Sequence, residues 1–183
     1  MLTKDMRKTE IESFLNGKGE FIQIDYLNRY LKLMPPIEMR KFAYLKLAEI
    51  YGQKRMFFDA AKAYKEVGNN CLNTKEKVGY CIKEAESYLK AGEFFEADKS
   101  IKKAILQAEV REKTEIASKF KQFCKEYAEN LVKDFKSSQA TKLYEKMLTM
   151  NLTETEKKEI KERLMNLYEK LGKFNEAKHL RGN

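Results

Sequence analysis

The chain of 183 residues contains no tryptophan, only two prolines and only eight glycines. This shortage of helix-breaking residues leaves little room for linkers, and the abundance of Lys, Glu, Leu, Ala and Tyr favours long amphipathic helices over strands. No stretch approaches the roughly 20 consecutive apolar residues that a membrane-spanning helix needs, and the first eight residues are strongly charged. We therefore expect one all-α domain over 1–183, with no β-sheet, no membrane span and no export signal.

Residues suited to redox or metal chemistry are also scarce. The three cysteines, Cys71, Cys81 and Cys124, form no C-x-x-C pair, and an odd number does not indicate a disulfide framework. We expect Cys81 and Cys124 to be inert packing residues and the protein to be cytoplasmic. Because His179 is the single histidine, the usual zinc ligand sets cannot be assembled within the chain.

Carboxylates are plentiful but do not indicate catalysis. Pairs such as Glu84 and Glu86 lie in strongly charged helical segments, where solvent-exposed faces are expected. We therefore expect no catalytic residue, no metal site and no cofactor, and we expect that the protein is not an enzyme.

The formal net charge of +9 raises the question of nucleic-acid binding. The charge is diffuse, because the segments 1–40, 41–77, 78–120, 121–157 and 158–183 carry +1, +4, 0, +1 and +3. Most basic residues have an acidic neighbour, and seven arginines against thirty lysines are few for phosphate or base recognition. RNA binding through a diffuse basic surface is therefore the alternative hypothesis rather than the leading one.

An internal repeat organises the whole chain. A Tyr is followed six residues later by Phe and nine residues later by Ala at three places: Tyr51, Phe57, Ala60; Tyr88, Phe94, Ala97; and Tyr168, Phe174, Ala177. Weaker copies start at Leu15 and Leu131, and the period indicates stacked units of two helices each. The predicted units cover approximately 5–40, 41–77, 78–120, 121–157 and 158–181, and the fourth has a longer first helix, over about 112–134.

The turns between the helices support this division. Glycines at positions 92 and 172 stand where a helix end favours a left-handed residue, and Gly19 is the predicted equivalent in the first unit. Pro35 and Pro36 end the first unit. Thr153 with Glu156 three residues later resembles a capping box that opens the last unit.

The repeat resembles the tetratricopeptide repeat. Tyr44, Leu47-Ala48, Tyr51, Phe57, Ala60 and Tyr64 fit that pattern in the second unit, although Arg55 replaces the turn glycine. The third unit fits through Cys81, Ala85, Tyr88, Gly92, Phe94, Ala97 and Ile101, and the last through Leu164, Tyr168, Gly172, Phe174 and Ala177. The resemblance implies a right-handed α-solenoid of about five antiparallel helix hairpins, but it does not imply a particular function.

A second, looser resemblance concerns residues 58–69, which look like part of the soluble NSF attachment proteins, a family built from related helix hairpins. The chain is shorter than that family and has no long acidic helix at its carboxy terminus. We therefore do not transfer the membrane-fusion role.

In such a solenoid the first helix of each hairpin lines a concave groove, and the register predicts which residues face a partner. The predicted groove residues are Phe42, Leu45, Glu49, Gln53, Ile82, Glu86, Leu89, Lys90, Lys125, Glu129 and Lys133. Because Glu49, Glu86 and Glu129 would repel a terminal carboxylate, chaperone-tail binding is disfavoured.

The leading hypothesis is a non-catalytic scaffold whose groove binds another protein, as a peptide or an amphipathic helix with apolar anchors and basic flanks. Leu167, Leu171 and Leu180 in the short last unit further predict a homodimer through the carboxy-terminal repeat, because that unit has no following neighbour to cover them.

Overall fold

The computed structural model describes residues 2–182 and contains ten α-helices and no strand within that range. The helices are α1 (Lys8–Leu15), α2 (Glu20–Lys32), α3 (Ile37–Gln53), α4 (Phe57–Asn69), α5 (Thr74–Ala91), α6 (Phe94–Gln107), α7 (Val110–Lys133), α8 (Ser137–Met147), α9 (Glu154–Lys170) and α10 (Phe174–Gly182). We call the odd-numbered helices the first helices and the even-numbered helices the second helices. For the described residues, the expectation of an all-α chain is confirmed.

The contacts divide the chain into two compact units, Met1–Ile116 and Ala117–Asn183, with the division inside α7. In the first unit, the helices pack in four consecutive pairs, α2 with α3, α3 with α4, α4 with α5, and α5 with α6. In the second unit, α9 packs against both α8 and α10. Packing between sequential neighbours is the arrangement that a short repeat predicts.

Small residues at the helix contacts hold the helices close together. The alanines that recur in the repeat are each at most 6% exposed: Ala48, Ala60, Ala85, Ala97, Ala128, Ala140 and Ala177. A methyl side chain lets two helix backbones approach, and a larger side chain there would cost about 1 to 3 kcal/mol through overpacking. Cys81 and Cys124 are 2% and 0% exposed, so the expected burial of both thiols is confirmed.

Four of the first helices end in the same backbone motif. The residue four positions after Tyr51, Tyr88, Leu131 or Tyr168 has a positive φ: 58° at Arg55, 81° at Gly92, 59° at Phe135 and 71° at Gly172. In each case the amide of the following residue donates to the carbonyl five positions back, as Glu93 does to Tyr88 at 2.9 Å. This Schellman motif ends the first helix, and the next helix begins two residues after the left-handed residue.

The first turn departs from that pattern. Gly19 was predicted to be the left-handed residue, but its φ is −60° and it is the N-cap of α2. Gly17 takes the left-handed conformation instead, with φ 72°. The prediction for Gly19 is therefore wrong, because α1 already ends at Leu15 and the chain turns earlier than the spacing suggested.

Other predicted helix boundaries agree with the structure. Pro36 is the N-cap of α3, and the Thr153–Glu156 capping box is formed, with the Thr153 amide donating to the Glu156 carboxylate at 2.7 Å. Helix α7 has 24 residues against 17 or 18 in α3, α5 and α9, which is the predicted excess of about two turns. Residues 41, 78, 121 and 158, where units were predicted to start, lie inside first helices.

No helix among the described residues is both long enough and apolar enough to cross a membrane.

The left-handed turn residues generate a stability prediction. A non-glycine residue in this conformation costs about 1 to 2 kcal/mol, so Arg55→Gly should raise the free energy of unfolding by about 0.5 to 1 kcal/mol, and Gly92→Ala should lower it by about 1 kcal/mol. A Cβ at position 92 would meet nothing within 4 Å, so the backbone alone decides the effect. Urea unfolding of the full chain measures both.

Gly79→Ala is the matched control. Gly79 lies within α5, and its Cβ would also have nothing within 4 Å. Its backbone is helical, so alanine should stabilise by about 0.5 to 1 kcal/mol. Equal effects of Gly79→Ala and Gly92→Ala would contradict the explanation.

Candidate functional site

Ion pairs connect successive first helices. Each pair joins residues 34 to 37 positions apart, which is about one repeat. The pairs are Glu12 with Lys46 at 3.0 Å, Lys41 with Glu76, Lys75 with Glu112 at 3.7 Å, Lys121 with Glu156 at 3.0 Å, Lys125 with Glu159 at 2.8 Å, and Glu129 with Arg163 at 3.0 Å. Much of the interleaved charge in the sequence is therefore used within the protein.

The ion pairs between α7 and α9 shift the pKa values of their carboxylates. Hydrogen bonds from the Thr153 backbone and from Lys121 lower the pKa of Glu156. Hydrogen bonds from Lys125 and Arg163 lower the pKa of Glu159. Exposed pairs of this kind contribute about 0 to 1 kcal/mol each, so their main effect is on register and surface charge rather than on stability.

In the first unit, two predicted groove residues line one cavity. Phe42 and Leu45 of α3 are half-buried and border a cavity of about 350 Å³. Its wall also includes Ile37, which is 37% exposed, and Leu72 in the loop before α5, which is 87% exposed. Exposed large apolar side chains beside a cavity are what a binding surface for another apolar side chain requires.

The other predicted residues of the first unit are distributed unevenly. Gln53 is exposed at the end of α3, Ile82 is half-buried, and exposed Glu49 lies 3.8 Å from Lys46. The Lys90 ammonium lies 5.8 Å from the ring centre of Phe57.

Two residues of α5 that were predicted to line the groove, Leu89 and Glu86, are buried or half-buried. Leu89 is 1% exposed and belongs to the core, so it offers no contact surface in this conformation. Glu86 is half-buried, and burial raises the pKa of its carboxyl group.

An aromatic cluster beside these residues was not predicted as a site. The rings of Tyr64 and Tyr80 are stacked with centres 6.4 Å apart, and the Lys83 ammonium lies within 5.7 Å of both. Burial raises the pKa of both tyrosines, and Glu49 adds to this rise through its negative charge. Tyr80 lies outside the repeat pattern, so no spacing in the sequence indicated this contact.

In the second unit, Glu129 and Lys133 line a groove of about 290 Å³. Its other lining residues are Val132 of α7, Tyr144 of α8, and Arg163, Asn166, Leu167 and Lys170 of α9. Tyr144 and Leu167 are 1% and 4% exposed and form an apolar floor. Leu167 is thus covered within its own unit, contrary to the expectation that it lacks a neighbour.

Lys125, the remaining predicted residue of this unit, does not line the groove. It pairs with Glu159, which also accepts from Arg163 at 2.9 Å. Arg163 was not predicted as a site residue. The sequence signal for Arg163 would have been its separation of about one repeat from Glu129, in the acid-rich stretch of α7. At that separation an arginine of α9 can pair with a glutamate of α7.

Glu84 is a correction to the expected solvent-exposed carboxylates. It is only 5% exposed, and it accepts a hydrogen bond of 2.9 Å from the Ser100 hydroxyl, while its second oxygen, Oε2, has no hydrogen-bond partner. Burial raises the pKa of Glu84, and the Ser100 hydrogen bond opposes the rise. Glu84 lies among other charged residues in the sequence, and this pattern did not indicate that its side chain faces α6.

Within 2–182, no group of three or more His, Cys, Asp or Glu side chains is arranged to hold a metal ion. His179 is exposed, near the end of α10.

Comparisons of the chain with known protein families, with curated proteins and with solved structures gave no significant match.

Buried Glu84 generates a pH prediction. Because its folded-state pKa is raised, the folded protein binds more protons than the unfolded chain above the unfolded carboxyl pKa of about 4.3, so this group destabilises the fold as the pH rises. The Glu84→Gln variant should therefore become more stable relative to wild type as the pH rises from mildly acidic to neutral. Urea unfolding at a series of pH values measures it.

Ser100→Ala provides the opposite change. It removes the hydrogen bond that favours the charged carboxylate, so the loss of stability with rising pH should become steeper than in wild type. Parallel pH profiles for wild type and both variants would show that Glu84 is not the cause.

Proposed function

We propose that this chain is a tetratricopeptide-like, right-handed solenoid of about five antiparallel helix hairpins that acts as a non-catalytic scaffold. Packing between sequential helices, the four equivalent Schellman turns and the ion pairs between successive first helices support this architecture. The turns and the ion pairs recur at about the repeat period.

The partner on this proposal is another protein, bound as a peptide or an amphipathic helix. The observation that carries it is the cavity of the first unit, where Phe42 and Leu45 form the wall and exposed Leu72 stands at the edge. A partner's apolar side chain would remove these groups from water at a gain of roughly 25 cal/mol per Å² of apolar surface. We further propose a cytoplasmic location, which suits buried cysteines such as Cys81 and Cys124 that form no disulfide.

RNA binding remains the alternative hypothesis, but the ion pairs weigh against it. Lys41, Lys46, Lys121 and Lys125 each have a carboxylate partner. A phosphate would have to compete with these carboxylates for the same ammonium groups. A steep fall of RNA affinity with salt would favour the alternative.

Site-specific cross-linking tests the scaffold proposal. A photo-reactive phenylalanine analogue at position 72 should cross-link to a discrete partner in cells of the native source, and Leu45→Asp should reduce the yield at least about tenfold, because a buried carboxylate opposes apolar docking. Mass spectrometry of the cross-linked species identifies the partner and the contact.

The matched control places the same analogue at position 106. Leu106 is 77% exposed, in α6, and does not line the cavity. Equal cross-linking from positions 72 and 106, or a yield at position 72 that Leu45→Asp leaves unchanged, counts against the proposal.

A homodimer through the carboxy-terminal helices is a second element of the proposal. Leu171 and Phe174 are 40% and 68% exposed at the turn between α9 and α10. We expect dimers at high protein concentration, and we expect Leu171→Glu with Phe174→Glu to leave only monomers, as measured by light scattering. A wild-type monomer at every concentration would rule the homodimer out.

A further inference from the structure

We propose that the groove of the second unit binds an acidic amphipathic segment of a partner protein. Carboxylates of that segment lie against Lys133 and Lys170, and an apolar side chain lies against half-buried Val132, above the floor of Tyr144 and Leu167. This inference rests on the proposed scaffold function and specifies the partner's chemistry for one groove. It differs from the basic flanks that the sequence suggested.

The first argument is the charge of the groove lining, which has three cations and one carboxylate. Arg163 is already held by Glu129 at 3.0 Å and by Glu159 at 2.9 Å. The Glu129 carboxylate already pairs with Arg163. It therefore does not neutralise the ammonium of Lys133, which lies four residues further along α7. Lys133 is exposed at the groove and makes no ion pair with any residue in the described part of the chain.

The second argument is a break in the repeat register. Glu49, Glu86 and Glu129 occupy equivalent positions on α3, α5 and α7, but Asn166 holds that position on α9. Lys170 therefore has no carboxylate four residues before it, and among residues 2–182 it forms no ion pair. The groove thus has two uncompensated ammonium groups and an amide, which together attract carboxylates.

The third argument is the size and polarity of the floor. A cavity of about 290 Å³ is slightly smaller than small-molecule sites, which span about 300 to 1,000 Å³, and it suits one or two side chains. The floor is apolar, so the occupant needs an apolar side chain between its acidic ones. An amphipathic helix supplies both, because residues three and four apart lie on one face.

RNA fits the groove less well. Single-stranded RNA binds through exposed aromatic rings on which bases stack, and Tyr144, the one aromatic residue that lines this groove, is 1% exposed. We therefore make RNA an outcome of the test rather than the proposal.

The test uses the full chain and fluorescence anisotropy with three probes. The first is a fluorescein-labelled, C-amidated peptide of about 15 residues with leucines at helical spacing flanked by glutamates. The second replaces the glutamates with lysines, and the third is single-stranded poly-uridine RNA. We expect the acidic peptide to bind at least about tenfold more tightly than either other probe, with an affinity that falls as salt is added.

Charge-reversal variants locate the binding. Lys133→Glu with Lys170→Glu should weaken binding of the acidic peptide at least about tenfold, and Asn166→Glu should weaken it in the same direction by restoring the acidic register. The matched control is Lys142→Glu with Lys178→Glu, which changes the net charge equally at exposed lysines of α8 and α10 that do not line the groove. Circular dichroism verifies that every variant keeps its helix content.

Three results would overturn the inference. The first is that the acidic peptide fails to bind, or fails to shift the amide resonances of Lys133, Asn166 and Lys170. The second is that the basic peptide or the RNA binds equally tightly or more tightly. The third is that the control variant loses as much binding as the groove variant. Cross-linking from position 72 reports on the scaffold proposal independently. If that cross-link persists while the acidic peptide fails, only the groove assignment is wrong.

Discussion

Each first helix is followed by one residue with a positive φ, and the hydrogen bonds around that residue end the helix. In four turns this residue stands four positions after Tyr51, Tyr88, Leu131 or Tyr168, and the next amide donates to the carbonyl of that tyrosine or leucine. The turn fixes where the second helix begins and therefore which of its alanines meets the first helix. Even Arg55 and Phe135 adopt the left-handed conformation, although it favours glycine. The geometry of the helix pair thus overrides the local preference of these two residues.

The charges of the first helices form a second level of organisation. Lysines and glutamates about one repeat apart pair with one another, so that a chain with a net charge of +9 presents less free charge than its composition suggests. A site for a charged partner must then arise where the pairing is incomplete. The groove of the second unit has that property, because Arg163 uses Glu129 and Asn166 supplies no carboxylate.

Much of the fold could be predicted from short-range patterns. The Tyr–Phe–Ala spacing, the turn glycines at 92 and 172 and the Thr153–Glu156 capping box each depend on neighbours within a few residues, and the structure contains all of them. Burial across helices was harder to predict. Leu89 and Glu84 of α5 looked like surface positions, but α5 packs against both α4 and α6, so a larger part of its circumference is buried than one apolar stripe indicates.

The candidate site was predicted only in part for the same reason. Phe42, Leu45, Glu129 and Lys133 do line cavities, whereas Tyr144 and Arg163 come from positions that have no signal within their own helix. A contact between residues about one repeat apart depends on the rotation of each helix about its axis. That rotation is set by packing with its neighbours, and no spacing within a single helix reports it.

One kind of connection between helices keeps nearly the same length from repeat to repeat, whereas the other kind varies in length. In the four Schellman turns the next helix always starts two residues after the left-handed residue, whereas the segments from a second helix to the following first helix contain four, four, two and six residues after α2, α4, α6 and α8. Insertions and deletions should accordingly be tolerated in these latter segments, where a changed length leaves the internal geometry of each helix pair intact. In the longest of them, 148–153, an epitope tag or a fluorescent reporter would disturb the protein least before Asn151, because Asn151 accepts a hydrogen bond from Lys121 and Thr153 caps α9.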